Sequence, residues 1–175
     1  MLHHFASVLL LGASASGWGQ QARQLQTVDA NVTAQQLVDI LLDSSTFTTS
    51  NVDLDCPVLS FGVATFDGSV HAFVDLGIGD GENIVLSTGN ATEVEAIVND
   101  DPSTSTATGG GADADVSAAT GSPTFDACSL SFDVVSSRST TVTFSYIFMS
   151  EEYNEFVDSD FNDCLLYTSP SPRDS

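Results

Sequence analysis

Apolar and polar positions along this 175-residue chain follow two different periods. Between residues 33 and 42 the period is helical. Leu37, Val38, Leu41 and Leu42 fall on one face, Thr33 stands where an N-cap belongs, and Gln36 follows three residues later in the capping-box position. The pattern predicts one helix docked on a core, ended by the polar run Asp43-Ser44-Ser45-Thr46, whose short side chains compete for the backbone. From Phe47 onward the period is two. Leu59, Phe61 and Val63 alternate with Ser60, Gly62 and Ala64, Asp67-Gly68 supplies a turn, and residues 70–75 and 84–88 give further strands. Farther on, Cys128, Leu130, Phe132 and Val134 alternate with Ser129, Ser131 and Asp133. Residues 136–140 turn the chain, and Val142, Phe144, Tyr146 and Phe148 then alternate with Thr141, Thr143 and Ser145. Two such runs joined by a short polar loop predict an antiparallel hairpin with one buried face. The fold class expected is mostly β, an antiparallel β-sandwich of jelly-roll-like form with one N-terminal accessory helix.

Stretches without either period mark the rest of the organisation. Residues 1–15 read as a secretory signal peptide, with an apolar run from Phe5 and a small-residue cleavage site at Ala13-Ser14-Ala15. His3 and His4 replace the usual basic residues, and the run is too short to span a bilayer as a helix. A buried N-terminal strand is the alternative reading. Residues 16–31 form a polar tail, and residues 32–163 the β domain. Residues 76–83 have a Gly-x-Gly rhythm but no following helix, which excludes a dinucleotide site. Residues 99–121, rich in Asp, Ser, Thr, Ala and Gly, are expected to be a mobile loop.

Charge narrows the partners. The chain has 24 acidic and 3 basic side chains, a net charge of −21, and no lysine. Such a field repels phosphate backbones and anionic headgroups, so nucleic acid and acidic membranes are poor partners, while cations and neutral surfaces remain. A hydrophobic content of 42% with 11 Phe suffices for one core and hence one domain. No other stretch is long and apolar enough to be a transmembrane segment.

Residues 164–175, beginning Cys164-Leu165-Leu166-Tyr167-Thr168-Ser169, are the peptide that one frame of a common transposase library adapter encodes, and they are read as a sequencing artefact. Discounting Cys164 leaves an even pair, and a disulfide between Cys56 and Cys128 is expected, with two buried free thiols as the alternative. The sequons Asn31-Val32-Thr33 and Asn90-Ala91-Thr92 make Asn31 and Asn90 candidate glycosylation sites on a secretory route.

The candidate chemistry lies after the second hairpin strand. Glu151 and Glu152 precede a loop with Asp158, Asp160, Asn162 and Asp163, and the spacing of Asp158, Asp160 and Asn162 at i, i+2 and i+4 suits a hard cation such as calcium. Asp113 and Asp115 repeat the i, i+2 spacing upstream. Solvated acidic turns are the alternative reading of both stretches. An EF-hand is excluded, because the sixth loop position counted from Asp158 is Asp163 rather than Gly. His71 has no second histidine or cysteine beside it, which argues against zinc.

These residues also carry a family resemblance. Ser-Glu-Glu-Tyr-Asn-Glu-Phe-Val at 150–157 followed by Phe-Asn-Asp at 161–163 resembles the signature of the choice-of-anchor L domain. Three further blocks, at residues 84–90, 112–117 and 124–133, resemble the same family in the same order. The resemblance implies an extracellular module attached to varied C-terminal anchors, with no enzymatic activity to carry over. It also implies further apolar strands after Asp163, so the domain is expected to be incomplete at its C-terminus.

The function expected is a secreted or cell-surface recognition or adhesion module, calcium-stabilised, whose partner is an extracellular glycan or surface protein. The alternatives are a secreted hydrolase of glycosidase type, using a carboxylate pair drawn from Glu151, Glu152, Glu155 or Asp158, and a structural matrix or cell-wall protein. The absence of a Gly-x-Ser-x-Gly elbow and of His-Glu-x-x-His in the sequence argues against serine and zinc hydrolases.

Overall fold

The computed structural model describes residues 2–6, 25–42, 44–66, 81–92, 107–142, 144, 146–148 and 163–169. In chain order its elements are β1 (Leu2–Ala6), β2 (Leu25–Asp29), α1 (Ala34–Leu41), β3 (Phe47–Asp55), β4 (Phe61–Phe66), β5 (Gly81–Leu86), α2 (Ala114–Thr120), β6 (Ser129–Ser136) and β7 (Tyr167–Thr168). The strands form two antiparallel sheets, one in the order β3-β6-β1-β7 and one in the order β2-β4-β5. The mostly-β antiparallel class read from the sequence is the one observed. Among the described residues no helix is long and apolar enough to cross a membrane.

Helix α1 forms where its pattern places it. The Gln36 amide donates to the Thr33 hydroxyl at 3.3 Å, and the Gln36 side chain accepts from the Thr33 amide at 2.8 Å, so both halves of the capping box are made. Its apolar face puts Leu37, Val38 and Leu42 into one cluster with Val63 of β4, Ile84 and Leu86 of β5, and Leu130, Phe132 and Val134 of β6. A single core is therefore filled from both sheets and the helix. Strand β4 lies between β2 and β5 and buries Gly62, Val63 and Ala64 in succession. Gly62 is needed by the close approach of β2, since a Cβ there would meet Val28 Cγ1 at 2.6 Å and the Asp29 carbonyl oxygen at 2.9 Å.

Strand β6 keeps its period of two, with Leu130, Phe132 and Val134 buried, but Asp133 on the opposite parity is buried as well. Its partner β3 explains this. The register of the pair shifts between Ser50 and Asp53, and Asn51 adopts a left-handed φ of 50°, as at a β-bulge. Asn51 Nδ2 thereby donates to Asp133 Oδ2 at 2.6 Å, so the carboxylate is buried with a hydrogen-bond donor against it.

Four sequence expectations need correction. The described residues of the run 142–148 are not in a strand, and the edge of β6 that a hairpin partner needs is paired with β1. Leu59 was expected to face inward but is 48% exposed, because β4 begins only at Phe61 and residues 57–60 form a turn closed by Ser60 N donating to the Pro57 carbonyl at 2.9 Å. The stretch 99–121 is not all loop. It contains α2, capped by Asp113 and ended by Gly121 with φ 72°. The expected strand at 84–88 is shifted to Gly81–Leu86. Residues 67–80, holding the expected Asp67-Gly68 turn and the 70–75 strand, lie outside the described residues. Residues 2–6 of the leader-like segment form β1, and residues 167–168 of the adapter-like segment form β7.

Two substitutions measure this packing. Leu37→Ala is expected to lower unfolding stability by about 2–5 kcal/mol, and Asn51→Ala by about 1–3 kcal/mol through the lost donor to Asp133, both read from urea titrations of the oxidised chain.

Candidate functional site

Strand direction brings the ends of both sheets together. The end of β3 meets the start of β6 at Asp55 and Ser129, and the start of β4 meets the end of β5 at Phe61 and Leu86. The connecting loops join into one layer at that end. The Ser87 amide donates to the Ser60 carbonyl at 2.7 Å and the Ala91 amide to the Leu59 carbonyl at 2.8 Å. The Ala127 amide donates to the Gly111 carbonyl at 3.1 Å. Cys56 and Cys128, immediately outside the β3–β6 pairing, are disulfide-bonded with a Cα–Cα distance of 4.2 Å. The expected cystine is thus formed, while Cys164 is free and exposed.

Asp126 organises the outer part of this rim. It holds a left-handed φ of 51°, and its Oδ1 accepts from the Gly110 amide at 2.8 Å. The Thr108 hydroxyl lies 3.2 Å from the same oxygen and 3.2 Å from the Thr88 carbonyl. Gly110 must be glycine here, because a Cβ would stand 2.8 Å from Asp126 Cα and 2.9 Å from Pro57 Cγ. Thr124 fastens the next segment to α2: its hydroxyl accepts from the Asp113 amide at 2.9 Å and lies 2.8 Å from the Ser117 hydroxyl. On this braced rim stand three exposed apolar side chains, Val58 at 80%, Phe125 at 77% and Leu59 at 48% of full exposure.

The sequence-predicted site residues are distributed unevenly. Glu151, Glu152, Glu155, Asp158, Asp160 and Asn162 lie outside the described residues, whereas Asp163 is half-buried just before β7. Asp113 Oδ1 accepts from the amides of Asp115 and Val116 at 2.8 and 2.9 Å, which makes it the cap of α2, and Asp115 is exposed in the first turn. Among the described residues no group of three or more His, Cys, Asp or Glu is arranged to hold a metal ion. Asn31 is exposed, while Asn90 is half-buried with its Oδ1 accepting from the Thr92 amide at 3.1 Å and from the Thr92 hydroxyl at 2.8 Å.

Sequence reasoning passed over Asp126, Val58 and Phe125. Phe125 and Asp126 lie within the family-like block 124–133, and Phe125 also stands out as a large apolar residue out of phase with the alternation that starts at Cys128. Nothing in that block marks Asp126 as a brace, because its role depends on the Gly110 amide and the Thr108 hydroxyl, both remote in sequence.

Reduction of the disulfide tests how far the rim depends on it. The bond joins residues 72 apart, and breaking it is expected to remove about 4 kcal/mol of stability. The lost protection should appear first at residues 57–60 and 124–128 in hydrogen exchange, with and without a thiol reductant.

The family model of the choice-of-anchor L domain matches residues 26–168. No curated protein and no solved structure matches the chain.

Proposed function

The chain belongs to the choice-of-anchor L domain family, whose members are extracellular, surface-associated modules, and on that premise we propose that it acts as a recognition or adhesion module using the disulfide-pinned rim as its contact face. The observation that carries this reading is the exposure of Val58, Leu59 and Phe125 on loops that are otherwise tied down by backbone hydrogen bonds, Asp126 and the Cys56–Cys128 bond. Leaving large apolar side chains in water costs about 1.5–3 kcal/mol each relative to burial. A partner that covers them recovers that free energy without having to order the loops first. Binding residues on loops held by a rigid scaffold are a common arrangement for recognition.

In this reading the protein is exported, its residues 1–15 serving as the signal, and it is a binding module rather than an enzyme. Asn31, exposed ahead of α1, accepts a glycan without disturbing the core, and Asn90 is the second glycosylation candidate. Calcium is the proposed stabilising ion, held by oxygens drawn from Glu151, Glu152, Asp158, Asp160, Asn162 and Asp163, with Asp113 and Asp115 as further candidates. A net charge of −21 favours any divalent cation near these loops. The partner is a neutral or cationic surface, an extracellular glycan or a surface protein.

Two measurements test the proposal. Phe125→Ser, alone and with Val58→Ser, is expected to weaken saturable binding to a panel of immobilised extracellular polysaccharides and cell surfaces by about ten-fold or more. The melting temperature should be unchanged, since neither side chain is in the core. Undiminished binding by the double variant rules out the rim as the contact face. Calcium at millimolar concentration is expected to raise the melting temperature, and a chelator to reverse the rise, because a ligand bound only by the folded state stabilises it. An unchanged melting temperature removes the ion from the proposal.

A further inference from the structure

A β-strand has two hydrogen-bonding edges, and both edges of β6 are occupied. Strand β3 pairs along one, from Phe47 opposite Ser136 to Asp55 opposite Ser129, and β1 pairs along the other, from Leu2 opposite Val134 to Phe5 opposite Ser131. Strand β7 reaches the sheet through β1. The outer half of this sheet is therefore built by residues 2–6 of the leader-like segment and residues 167–168 of the adapter-like segment.

A partner for the same edge lies close by in sequence. Val142, Phe144, Tyr146 and Phe148 alternate along the run that follows the polar turn. With the turn centred on Arg138, Val134 falls opposite Val142, Phe132 opposite Phe144, Leu130 opposite Tyr146 and Cys128 opposite Phe148, so apolar residues face each other throughout. Part of the run is already near its place: Val142 and Phe144 pack against the cluster that contains Phe132 and Val134. The farther part is not, for Tyr146 is 60% and Phe148 41% exposed. Pairing of residues 142–148 with β6 and pairing of β1 with β6 require the same N–H and C=O groups and exclude each other.

We propose that this edge of β6 is a strand-acceptor site whose occupant changes on maturation: residues 2–6 hold it in the precursor, and residues 142–148 take it once residues 1–15 are removed. The proposal rests on the export reading given above. Removal of β1 frees the edge, and the incoming segment closes only a short loop around Arg138, so its entropic cost is small beside that of pairing segments more than a hundred residues apart. The exchange also covers Tyr146 and Phe148.

The test compares the chain from Met1 with one made directly from Ser16, both oxidised. Hydrogen exchange at residues 141–148 is expected to be slower by about ten-fold or more in the shorter chain. In a Cys164→Ser background, the pair Ser131→Cys and Ser145→Cys is expected to form a 131–145 disulfide in the shorter chain and not in the longer one, read by peptide mapping without reduction. Equal exchange of residues 141–148 in the two wild-type chains overturns the proposal, as does equal cross-linking in both. A dimer of the shorter chain, with residues 129–136 protected and 142–148 open, also overturns it by showing that a second copy takes the edge. N-terminal sequencing of the exported protein separates this from the export reading: an intact Met1 ends the latter, while the exchange in the chain made from Ser16 is still decided by its own data.

Discussion

The apolar cluster shared by α1, β4, β5 and β6 is the interaction on which the rest of the structure depends. Its nine buried side chains come from one helix and both sheets, so no layer is stable by itself. A three-stranded sheet such as β2-β4-β5 gains its stability from a covered face, and α1, eight residues long, is too short to persist alone in water. The helix holds because Leu37 and Val38 are fully buried against the sheets. The sheets in turn close over it because β6 supplies Leu130 and Phe132 from the other side. The disulfide adds to this a covalent limit on how far β3 and β6 can separate at the rim.

What was legible in the sequence is what depends on neighbours within one element. The capping box around Thr33 and Gln36 spans four positions, and the alternation along β6 spans eight, so both were visible directly. The cystine was legible from cysteine arithmetic. Helix α2 within residues 99–121 is hidden by composition, which outweighs two local signals, Asp113 at the helix start and Gly121 in the left-handed cap at its end. Parity alone puts Asp133 on the solvent side. Its burial depends on Asn51, 82 residues away in sequence, and on a bulge in β3 that period-two reasoning cannot register. The candidate site followed the same division: Asp126 acquires its function from the Gly110 amide across 16 residues, which no local pattern records.

In the proposed recognition role, the exposed trio on the rim and the charge of the chain impose opposite demands on a partner. Covering Phe125 places the partner's surface beside Asp126, the adjoining residue, and on the same loop layer as Asp113 and Asp115. Charges brought out of water without compensation are costly, so an apolar surface bearing acidic groups is rejected even where its shape fits. Surface charge repulsion is screened over about 8 Å at physiological ionic strength, whereas the apolar contact is made only at van der Waals distance and is not weakened by that screening. A saline medium with divalent cations therefore removes the long-range repulsion and leaves the short-range attraction intact. On that proposed reading, the acidity governs the approach of a partner and the braced apolar rim governs the close contact.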